Sequence, residues 1–270
     1  MNIPDITHQA QLSPKGYWVV DFVEDISYTE NGHNLIQESE DNSFWYAHRL
    51  QSLQTLLTHY PTNGILDIGG GNGQITKFLQ EQNIDAVLLE PMPNGVLNAQ
   101  KKGVLKIIQG SFDSMDVQKA SVPAVGLFDV LEHIEKDEQM LAKIFDVLKP
   151  GGLLYLSVPA WQFLYSDFDK EVGHYRRYTL RDLSKKLAVA GFTINYQTYL
   201  FFPLPFLIWP ARKFYRLIKQ KKKRRKLGHV NKKGILGSVI NLYLSLEIFL
   251  LRKRVKIPFG STCLIVACKK

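Results

Sequence analysis

The sequence has 270 residues, 45% of them hydrophobic, which is enough to bury the core of one large domain or of one domain with an appendage. Its formal charge of +9 is uneven, because residues 201–270 hold eighteen Lys or Arg and one acid, whereas residues 1–200 have an excess of eight acids. This excludes an evenly basic protein and predicts a mildly acidic body with a basic, partner-binding C-terminal surface.

Cysteine usage and the N-terminus favour a reducing compartment. Cys263 and Cys268 are five residues apart in one apolar run, so on a strand they point to opposite faces about 16 Å apart and cannot pair. Residues 1–5 lack the basic flank and apolar run of a signal peptide. We therefore expect a cytoplasmic protein without a disulfide framework.

The predicted elements follow a polar N-terminal segment, residues 1–41, which we expect to be a cover without regular structure. Leucines at helical spacing then predict a helix from Asn42 or Ser43 to Tyr60. Strands are predicted at residues 65–68, 85–90, 104–109, 124–129, 153–158, 193–199 and 262–268. Helices are predicted at residues 74–82, 94–102, 136–148 and 179–190. The alternation predicts an α/β fold, doubly wound on a mostly parallel, seven-stranded sheet.

The first of these strands runs into the glycine cluster of residues 69–73, and a helix follows at once. This arrangement lets backbone N–H groups face a nucleotide-like ligand, although a glycine cluster alone also fits a surface turn. The dinucleotide fingerprint G-x-G-x-x-G is excluded because position 74 is Gln. Glu90 ends the next strand, where a carboxylate can accept hydrogen bonds from both ribose hydroxyls.

Asp67 followed by G-x-G-x-G resembles the first motif of the class I S-adenosylmethionine (SAM) dependent methyltransferases. The resemblance covers roughly residues 44–200 and 258–268. It implies a Rossmann-like, SAM-binding domain at residues 42–200 plus 258–270. The cofactor contacts that it implies are Asp67, Gly69, Gly71, Gly73, Glu90, Pro91, Ser111, Phe112 and Asp129. Many relatives place an acid on the adenine after the third strand, whereas this sequence offers only Ser111 and the ring of Phe112.

Two further segments extend the resemblance toward the acceptor. Residues 131–134 read L-E-H-I, similar to methyltransferases of the ubiquinone-biosynthesis type, and this implies that Glu132 and His133 line the acceptor pocket. The H-x-R-R-Y-T block at residues 174–179 resembles one in related bacterial methyltransferases. His174 is our first choice for general base, since a pKa near 6.5 suits proton removal at neutral pH, and His133 is the second. His133 also fits a helix-start histidine bonded to backbone.

Several other residues are candidates for the acceptor side. Arg176 and Arg177 can bind a phosphate or carboxylate in forked geometry, with Tyr178 beside them; alternatively, Asp167 and Asp169 pair with these arginines and hold the loop. The candidates on the first helix are Trp45 and Arg49, which would cover the site unless that helix is a core element. Glu132, His133 and His174 could also bind a divalent metal, but no ligand spacing is diagnostic, and we predict none.

Residues 201–257 form an insertion between the last two predicted strands. An apolar part with three prolines is followed by a basic run at residues 211–226, and a second apolar part at residues 234–251 contains Glu247. The first part is too short and proline-rich to cross a bilayer. The sixth strand is expected to be parallel, so the insertion leaves at the ligand-binding edge of the sheet. Apolar, aromatic and basic residues together favour docking to an anionic membrane; a segment packed on the domain is the alternative.

The sequence therefore predicts a SAM-dependent methyltransferase that is peripheral on the inner face of a membrane. We expect it to methylate an oxygen of a lipid-like, lipid-linked or amphipathic small-molecule acceptor. One alternative is a soluble acceptor with the insertion as lid. Others are an RNA-modifying or RNA-binding protein and a SAM-binding scaffold without turnover. Nucleic acid is the less favoured partner, because the aromatic residues of the insertion lie among aliphatic ones.

Overall fold

The computed structural model describes residues 1–21, 44–202, 204–206 and 235–270, with the backbone alone for residues 235–239. Several predictions lie outside the described residues: the helix cap at Asn42 or Ser43, most of the second half of the N-terminal cover, and the basic run at 211–226. The described residues contain every helix and strand that the sequence predicts, with shifted ends.

Helices and strands alternate along the chain. The helices are α1 (Ile3–Ile6), α2 (Phe44–His59), α3 (Gln74–Glu81), α4 (Pro93–Lys101), α5 (Asp137–Val147), α6 (Asp167–Glu171), α7 (Leu180–Val189) and α8 (Ile235–Arg252). The strands are β1 (Gln11–Leu12), β2 (Trp18–Val19), β3 (Gly64–Ile68), β4 (Asp85–Glu90), β5 (Ile107–Gln109), β6 (Val122–Phe128), β7 (Leu148–Pro159), β8 (Phe192–Leu200) and β9 (Thr262–Lys269).

One sheet joins all nine described strands in the order β1-β2-β5-β4-β3-β6-β7-β9-β8. Strands β3 to β7 are parallel, and β9 runs antiparallel between β7 and β8, which confirms the predicted doubly wound, mostly parallel fold. The two strands beyond the predicted seven come from the N-terminal segment, where β2 extends the sheet edge beside β5. Strands of two residues are too short to give an alternating pattern, so the sequence did not indicate them.

Helices cover both faces of the sheet. The leucines and isoleucines of α2, α3 and α8 pack with Ile65 of β3 on one face, and Leu88 of β4 contacts α4 on that side. On the other face apolar residues of α5 and α7 belong to the same buried cluster as Leu66 and Ile68. All five residues of β3 are buried, as expected of a parallel strand that is covered on both sides.

Residues 149–152, which separate the predicted helix at 136–148 from the predicted strand at 153–158, lie inside a strand instead. The strand begins at Leu148, directly after α5, and residues 149–152 bulge out between the pairs Val122–Leu148 and Ala124–Leu153. Gly151 allows this bulge with φ of +76°.

The carboxyl ends of β3, β4, β6 and β7 meet at one edge of the sheet, and β8 is parallel to them, since it pairs antiparallel with β9. The chain beyond Leu200 therefore leaves from the edge where ligands bind in such sheets, as predicted. No helix in the described part of the chain combines the length and apolar character needed to cross a bilayer.

The returning helix α8 is fixed to the domain by Glu247, whose side chain is 1% exposed. Its carboxylate lies 2.6 Å from His48 Nε2 on α2 and accepts hydrogen bonds from the N–H groups of Phe201 and Phe202 and from the Tyr243 hydroxyl, at 2.9, 3.1 and 2.7 Å. We call this arrangement the Glu247 clasp. It ties the insertion both to α2 and to the end of β8.

Replacing Glu247 with Gln tests the clasp. Burial alone would raise the pKa of Glu247, but hydrogen bonds from His48, Phe201 and Tyr243 outweigh it and hold the pKa below its usual 4.5. The carboxylate therefore stabilises the fold above about pH 4.5, and this contribution is lost as the pH falls through the lowered pKa. We expect E247Q to lower the free energy of unfolding by about 3 kcal/mol at neutral pH, and by less in acid.

Urea denaturation at neutral and at acidic pH measures the difference in free energy of unfolding between E247Q and the wild type. The matched control is E81Q, because the Glu81 side chain is 59% exposed and its ion pair with Lys77 is long, at 3.8 Å. Equal stabilities of the two variants at neutral pH would contradict the clasp.

Candidate functional site

The turn after β3 depends on three glycines in left-handed conformations. Gly69, Gly71 and Gly73 have φ values of +67°, +56° and +73°. A Cβ on Gly69 would lie 2.8 Å from Val130, and one on Gly73 would lie 2.7 Å from Ala99. The turn thus needs glycine both for its dihedral angles and for its close packing, and it leads directly into α3.

Asp67 lies in β3 beneath this turn and is fully buried. Its Oδ2 accepts a hydrogen bond of 2.6 Å from Thr76 on α3, whereas Oδ1 has no hydrogen-bond partner among the described residues. Burial raises the pKa of Asp67 to about 6, because the Thr76 hydrogen bond compensates only in part. Asp67 therefore ties the glycine turn to α3.

Glu90 reaches the same turn from the end of β4. One carboxylate oxygen accepts the Gly71 N–H and the other accepts the Met92 N–H, each at 2.9 Å. Burial raises the pKa of Glu90 to about 7 despite these two bonds. A carboxylate has about four acceptor positions, so this type of group is suited to a pair of neighbouring hydroxyls. The structure thus brings Glu90 to the glycines, as the sequence indicates.

The other predicted cofactor contacts lie at the ends of neighbouring strands or in the core. Pro91 and Ser111 are half-buried at the ends of β4 and β5. Phe112 is 3% exposed in the main core, with the Lys143 ammonium 5.0 Å from its ring centroid. Its ring therefore offers little surface to a ligand in this structure, and an adenine contact by Phe112 stays a prediction.

Asp129 follows β6 in a left-handed conformation with φ of +56°, which is uncommon outside glycine. It forms an ion pair with Arg49 of α2, and Arg49 also donates a hydrogen bond of 3.1 Å to Ser157 of β7. Next to it on α2, Trp45 stacks on Phe201 with ring centroids 3.6 Å apart. Helix α2 thus crosses the carboxyl ends of β6, β7 and β8.

A second cluster lies where the loop after β7 returns over this edge. His174 Nδ1 is 3.0 Å from Asp169 Oδ1, and Arg177 donates to the same oxygen from Nε and Nη2, both at 2.8 Å. Ser166 holds the other oxygen of Asp169 through its N–H and hydroxyl at 2.8 and 2.9 Å. These hydrogen bonds outweigh burial and keep the pKa of Asp169 well below its usual value. Asp169 is therefore a carboxylate that orients His174.

The other nitrogen of His174, Nε2, lies 3.9 Å from Glu132 Oε1. Glu132 is fully buried, and neither of its carboxyl oxygens has a hydrogen-bond partner among the described residues. Burial, followed by the charge of Asp129, raises the pKa of Glu132 well above its usual value. The carboxyl group that faces His174 is therefore more easily protonated than an ordinary glutamic acid.

His133 lies against His174 with ring centroids 4.6 Å apart. Burial, and secondarily the charge of His174, lowers the pKa of His133 to about 4. His133 is therefore neutral at pH 7, a form in which one ring nitrogen donates a hydrogen bond and the other can accept one or bind a metal ion.

Ligand atoms of Glu132, His133 and His174 all lie within 4.8 Å of one another. One carboxylate and two imidazoles could bind a divalent cation, with Asp169 as an outer partner of the His174 ring. From the sequence these three residues were a possible metal site, but no metal was predicted, because His174 lies about forty residues beyond the other two and such a spacing is not diagnostic.

The arginines and tyrosine of the H-x-R-R-Y-T block hold the loop. Arg177 binds Asp169, while Arg176 forms an ion pair with Asp137 at 3.0 Å and donates to the Glu135 carbonyl at 2.9 Å. Tyr178 is 2% exposed, and its hydroxyl donates to Asp137 at 2.9 Å. Tyr178 therefore lies in the core and not on the acceptor side, where it was predicted. Asp137 supplies the hydrogen-bond partner that a buried hydroxyl needs.

Sequence reasoning missed Thr76 and assigned Asp169 only a loop-holding alternative. A signal for Asp169 was present, since Ser166 and Asp169 form the S-x-x-D pattern of a capping box, which fixes one carboxylate oxygen. The partner of the remaining oxygen depends on how the loop folds back, and no local pattern contains that information.

An aromatic wall borders the site, and it consists of Trp161, Phe163, Phe206 and Phe259. Trp161 follows β7 with φ of +67°, and its ring centroid lies 5.9 Å from that of Phe163 and 4.5 Å from that of Phe259. Phe206 of the insertion lies 4.8 Å from Phe259. Phe163 and Phe206 are 52% and 59% exposed, so the wall presents apolar surface to solvent.

Comparisons with known proteins agree with this geometry. A family model described as "Methyltransferase domain" matches residues 41–197. A probable SAM-dependent methyltransferase of Mycolicibacterium smegmatis is 23% identical over 167 residues, 61% of this chain and 65% of the relative. Trans-aconitate 2-methyltransferase of Deinococcus radiodurans is 28% identical over 116 residues, 41% of this chain and 43% of the relative. The chain thus matches less than two thirds of the length of either relative.

Among solved structures, a phosphoethanolamine N-methyltransferase of Haemonchus contortus in complex with SAM has a TM-score of 0.58 and 16% identity, covering 92% of this chain and 59% of that one. At this identity the likeness shows the fold alone. Together with the matched family model, it identifies the chain as a member of the methyltransferase domain family, in the class I, SAM-dependent type.

Proposed function

We propose that the protein transfers a methyl group from SAM to an oxygen of a lipid-like or lipid-linked acceptor, with His174 as general base. The observation that carries this proposal is the pairing of His174 Nδ1 with Asp169 at 3.0 Å, which leaves Nε2 directed toward Glu132. Methyl transfer needs alignment of the two reacting atoms and removal of one proton, and this pair can supply the second requirement.

In the proposed reaction the Nδ1–H of His174 is donated to Asp169, so the lone pair is on Nε2. The acceptor hydroxyl gives its proton to Nε2 as its oxygen bonds to the methyl carbon. The bond from that carbon to sulfur breaks, and its electron pair returns to sulfur, leaving S-adenosylhomocysteine. Burial raises the pKa of Glu132, which favours its protonated form, and in that form it can hold the acceptor by a hydrogen bond.

The cofactor would lie over the glycine turn. Glu90 can accept the ribose hydroxyls, and the glycine turn, which has no Cβ at residues 69–71 and 73, would let the nucleoside approach the backbone closely. The ion pair of Arg49 and Asp129 offers one cation and one anion to the methionine part, whose carboxylate and ammonium have the complementary charges.

The aromatic wall supports an acceptor with a large apolar group. Two of its rings are more than half exposed, although aromatic rings usually bury most of their surface. A bound alkyl, prenyl or aryl chain would cover them.

A soluble acceptor is the second candidate. The relative named trans-aconitate 2-methyltransferase acts on a small polar acid, and a neighbouring carboxylate or phosphate could bind Arg176, whose side chain is 31% exposed. The Glu247 clasp fixes α8 to the domain. In this candidate α8 would therefore be a fixed wall of the site and not a moving lid.

Transfer of isotope-labelled methyl from SAM to fractionated cell extract distinguishes the acceptors. We expect label in the organic-solvent fraction, in a product whose new bond resists the mild base that cleaves methyl esters. Label confined to the aqueous fraction would support the soluble candidate, and label on RNA would contradict both.

Replacing Glu90 with Gln tests the cofactor site. Because ribose hydroxyls donate to the carboxylate form, SAM affinity should fall as the pH drops below about 7, where the free enzyme's Glu90 becomes protonated. E90Q should bind SAM about ten- to a hundredfold more weakly at neutral pH and should lose this pH dependence. Isothermal titration calorimetry measures both, with E81Q as control. An unchanged affinity in E90Q would refute the ribose contact.

Replacing His174 with Asn tests the general base. We expect kcat on the labelled acceptor fraction to fall about 10²- to 10⁴-fold, while SAM affinity stays unchanged. D169N should lower kcat less and shift its pH dependence, because it leaves His174 without its charged partner. His8, an exposed histidine near the N-terminus, provides the control variant H8N. Normal turnover by H174N would remove His174 from the catalytic role.

A further inference from the structure

We propose that the outer face of α8, with the end of β8, is a docking surface for an anionic lipid bilayer. The proposal rests on the function proposed above, since docking there would bring the enzyme to a membrane-held acceptor. The surface consists of Leu242, Leu246 and Phe249 of α8 together with Phe202 and Phe206, and we call it the α8 apolar face.

The α8 residues of this face are unusually exposed for large apolar side chains. Leu242, Leu246 and Phe249 are 74%, 53% and 53% exposed. Their spacing of four and three residues places them on one stripe of the helix. The opposite side of α8 already packs on the domain through Leu244, Ile248 and Leu251, which are at most 8% exposed. The stripe is thus a second apolar face, separate from the one that the fold requires.

The stripe continues into the end of β8 and then to the acceptor side. The Phe202 N–H donates a hydrogen bond of 2.8 Å to the Tyr243 hydroxyl, which places Phe202, 41% exposed, beside α8. Phe206 lies 6.0 Å from Phe202 and 4.8 Å from Phe259 of the aromatic wall, between ring centroids. An acyl chain held in a bilayer at the α8 apolar face would therefore be adjacent to the aromatic wall.

The charge of this region fits an anionic surface. Residues 201–270 contain eighteen Lys or Arg, and their single acid, Glu247, is buried in the clasp. At the end of α8 four exposed cations occur within five residues: Arg252, Lys253, Arg254 and Lys256. Each cation near an anionic leaflet contributes about 1 kcal/mol, in addition to the transfer of apolar side chains from water.

Charge and composition also decide against other occupants. A second copy of the chain would bring two strongly basic regions into contact without acids between them. RNA bases could stack on the phenylalanines of this face, but they would leave the aliphatic side chains of Leu242 and Leu246 without an apolar partner. A bilayer with anionic headgroups satisfies both the apolar and the cationic groups.

The test is sedimentation of the full chain with vesicles of phosphatidylglycerol and phosphatidylcholine in equal parts, and with phosphatidylcholine alone. We expect binding to the mixed vesicles only. A triple variant, L242S/L246S/F249S, should bind about tenfold to a hundredfold more weakly. The matched control, L105S/V189S, alters residues that are 79% and 82% exposed elsewhere and should bind as the wild type does.

Thermal unfolding and SAM calorimetry separate a docking defect from a folding or cofactor defect, since the triple variant should match the wild type in both. If the triple variant is unstable, salt titration of the wild type replaces it: raising the ionic strength several-fold should release the bound protein. Wild-type protein that stays in the supernatant, or binds both vesicle types equally, would overturn the proposal. So would a triple variant that binds vesicles normally or changes only the oligomeric mass.

Discussion

Buried carboxyl groups line the carboxyl edge of the sheet, and their surroundings decide whether the pKa of each is raised or lowered. Burial raises the pKa of Asp67, Glu90 and Glu132, because the hydrogen bonds and nearby charges that act on them offset burial only in part. Asp169 is also buried, but it accepts hydrogen bonds from Arg177, His174 and Ser166, and its pKa is lowered. The edge thus combines carboxyl groups whose pKa is raised with others, among them Asp169 and Glu247, whose pKa is lowered.

The buried carboxyl groups fall into two regions, one around the glycine turn and one around His174. Asp67 and Glu90 lie at the ends of β3 and β4 around the glycine turn, where an added donor from a ligand would favour their charged forms. Glu132, His174 and Asp169 lie beyond β6 and β7, where the pKa of Glu132, on one side of the imidazole, is raised and the pKa of Asp169, on the other side, is lowered. Helix α2 links the two regions through the ion pair of Arg49 and Asp129, and the Glu247 clasp holds that helix against α8. The insertion is therefore a fixed part of the site's scaffold along α8.

Much of this arrangement could be predicted, because its signals are local. The glycine turn, Asp67 just before it and Glu90 at the end of the next strand could be placed together from the sequence. A strand, a turn and a helix that follow one another along the chain have a known geometry. The contacts of His174 with Asp169 and Glu132 could not be derived in this way. They depend on how a loop folds back over the sheet, so residues about forty apart meet. The inward position of Tyr178 and the burial of Phe112 likewise depend on packing, and their neighbours in sequence carry no sign of it. Glu247 appeared as a lone acid on an apolar helix, and only the structure supplies its partners from α2 and β8.

The position of β9 between β7 and β8 has a consequence for biosynthesis. Strand β8 hydrogen-bonds to no strand of the sheet except β9, which lies about sixty residues later in the sequence. While the ribosome is still synthesising the insertion, β7 has one open edge and β8 has two, next to a strongly apolar and basic segment. The sheet can close only after β9 emerges, so its closure is a long-range pairing, which is intrinsically slow. Until then the nascent chain exposes unpaired strand edges that chaperones or a nearby surface can protect.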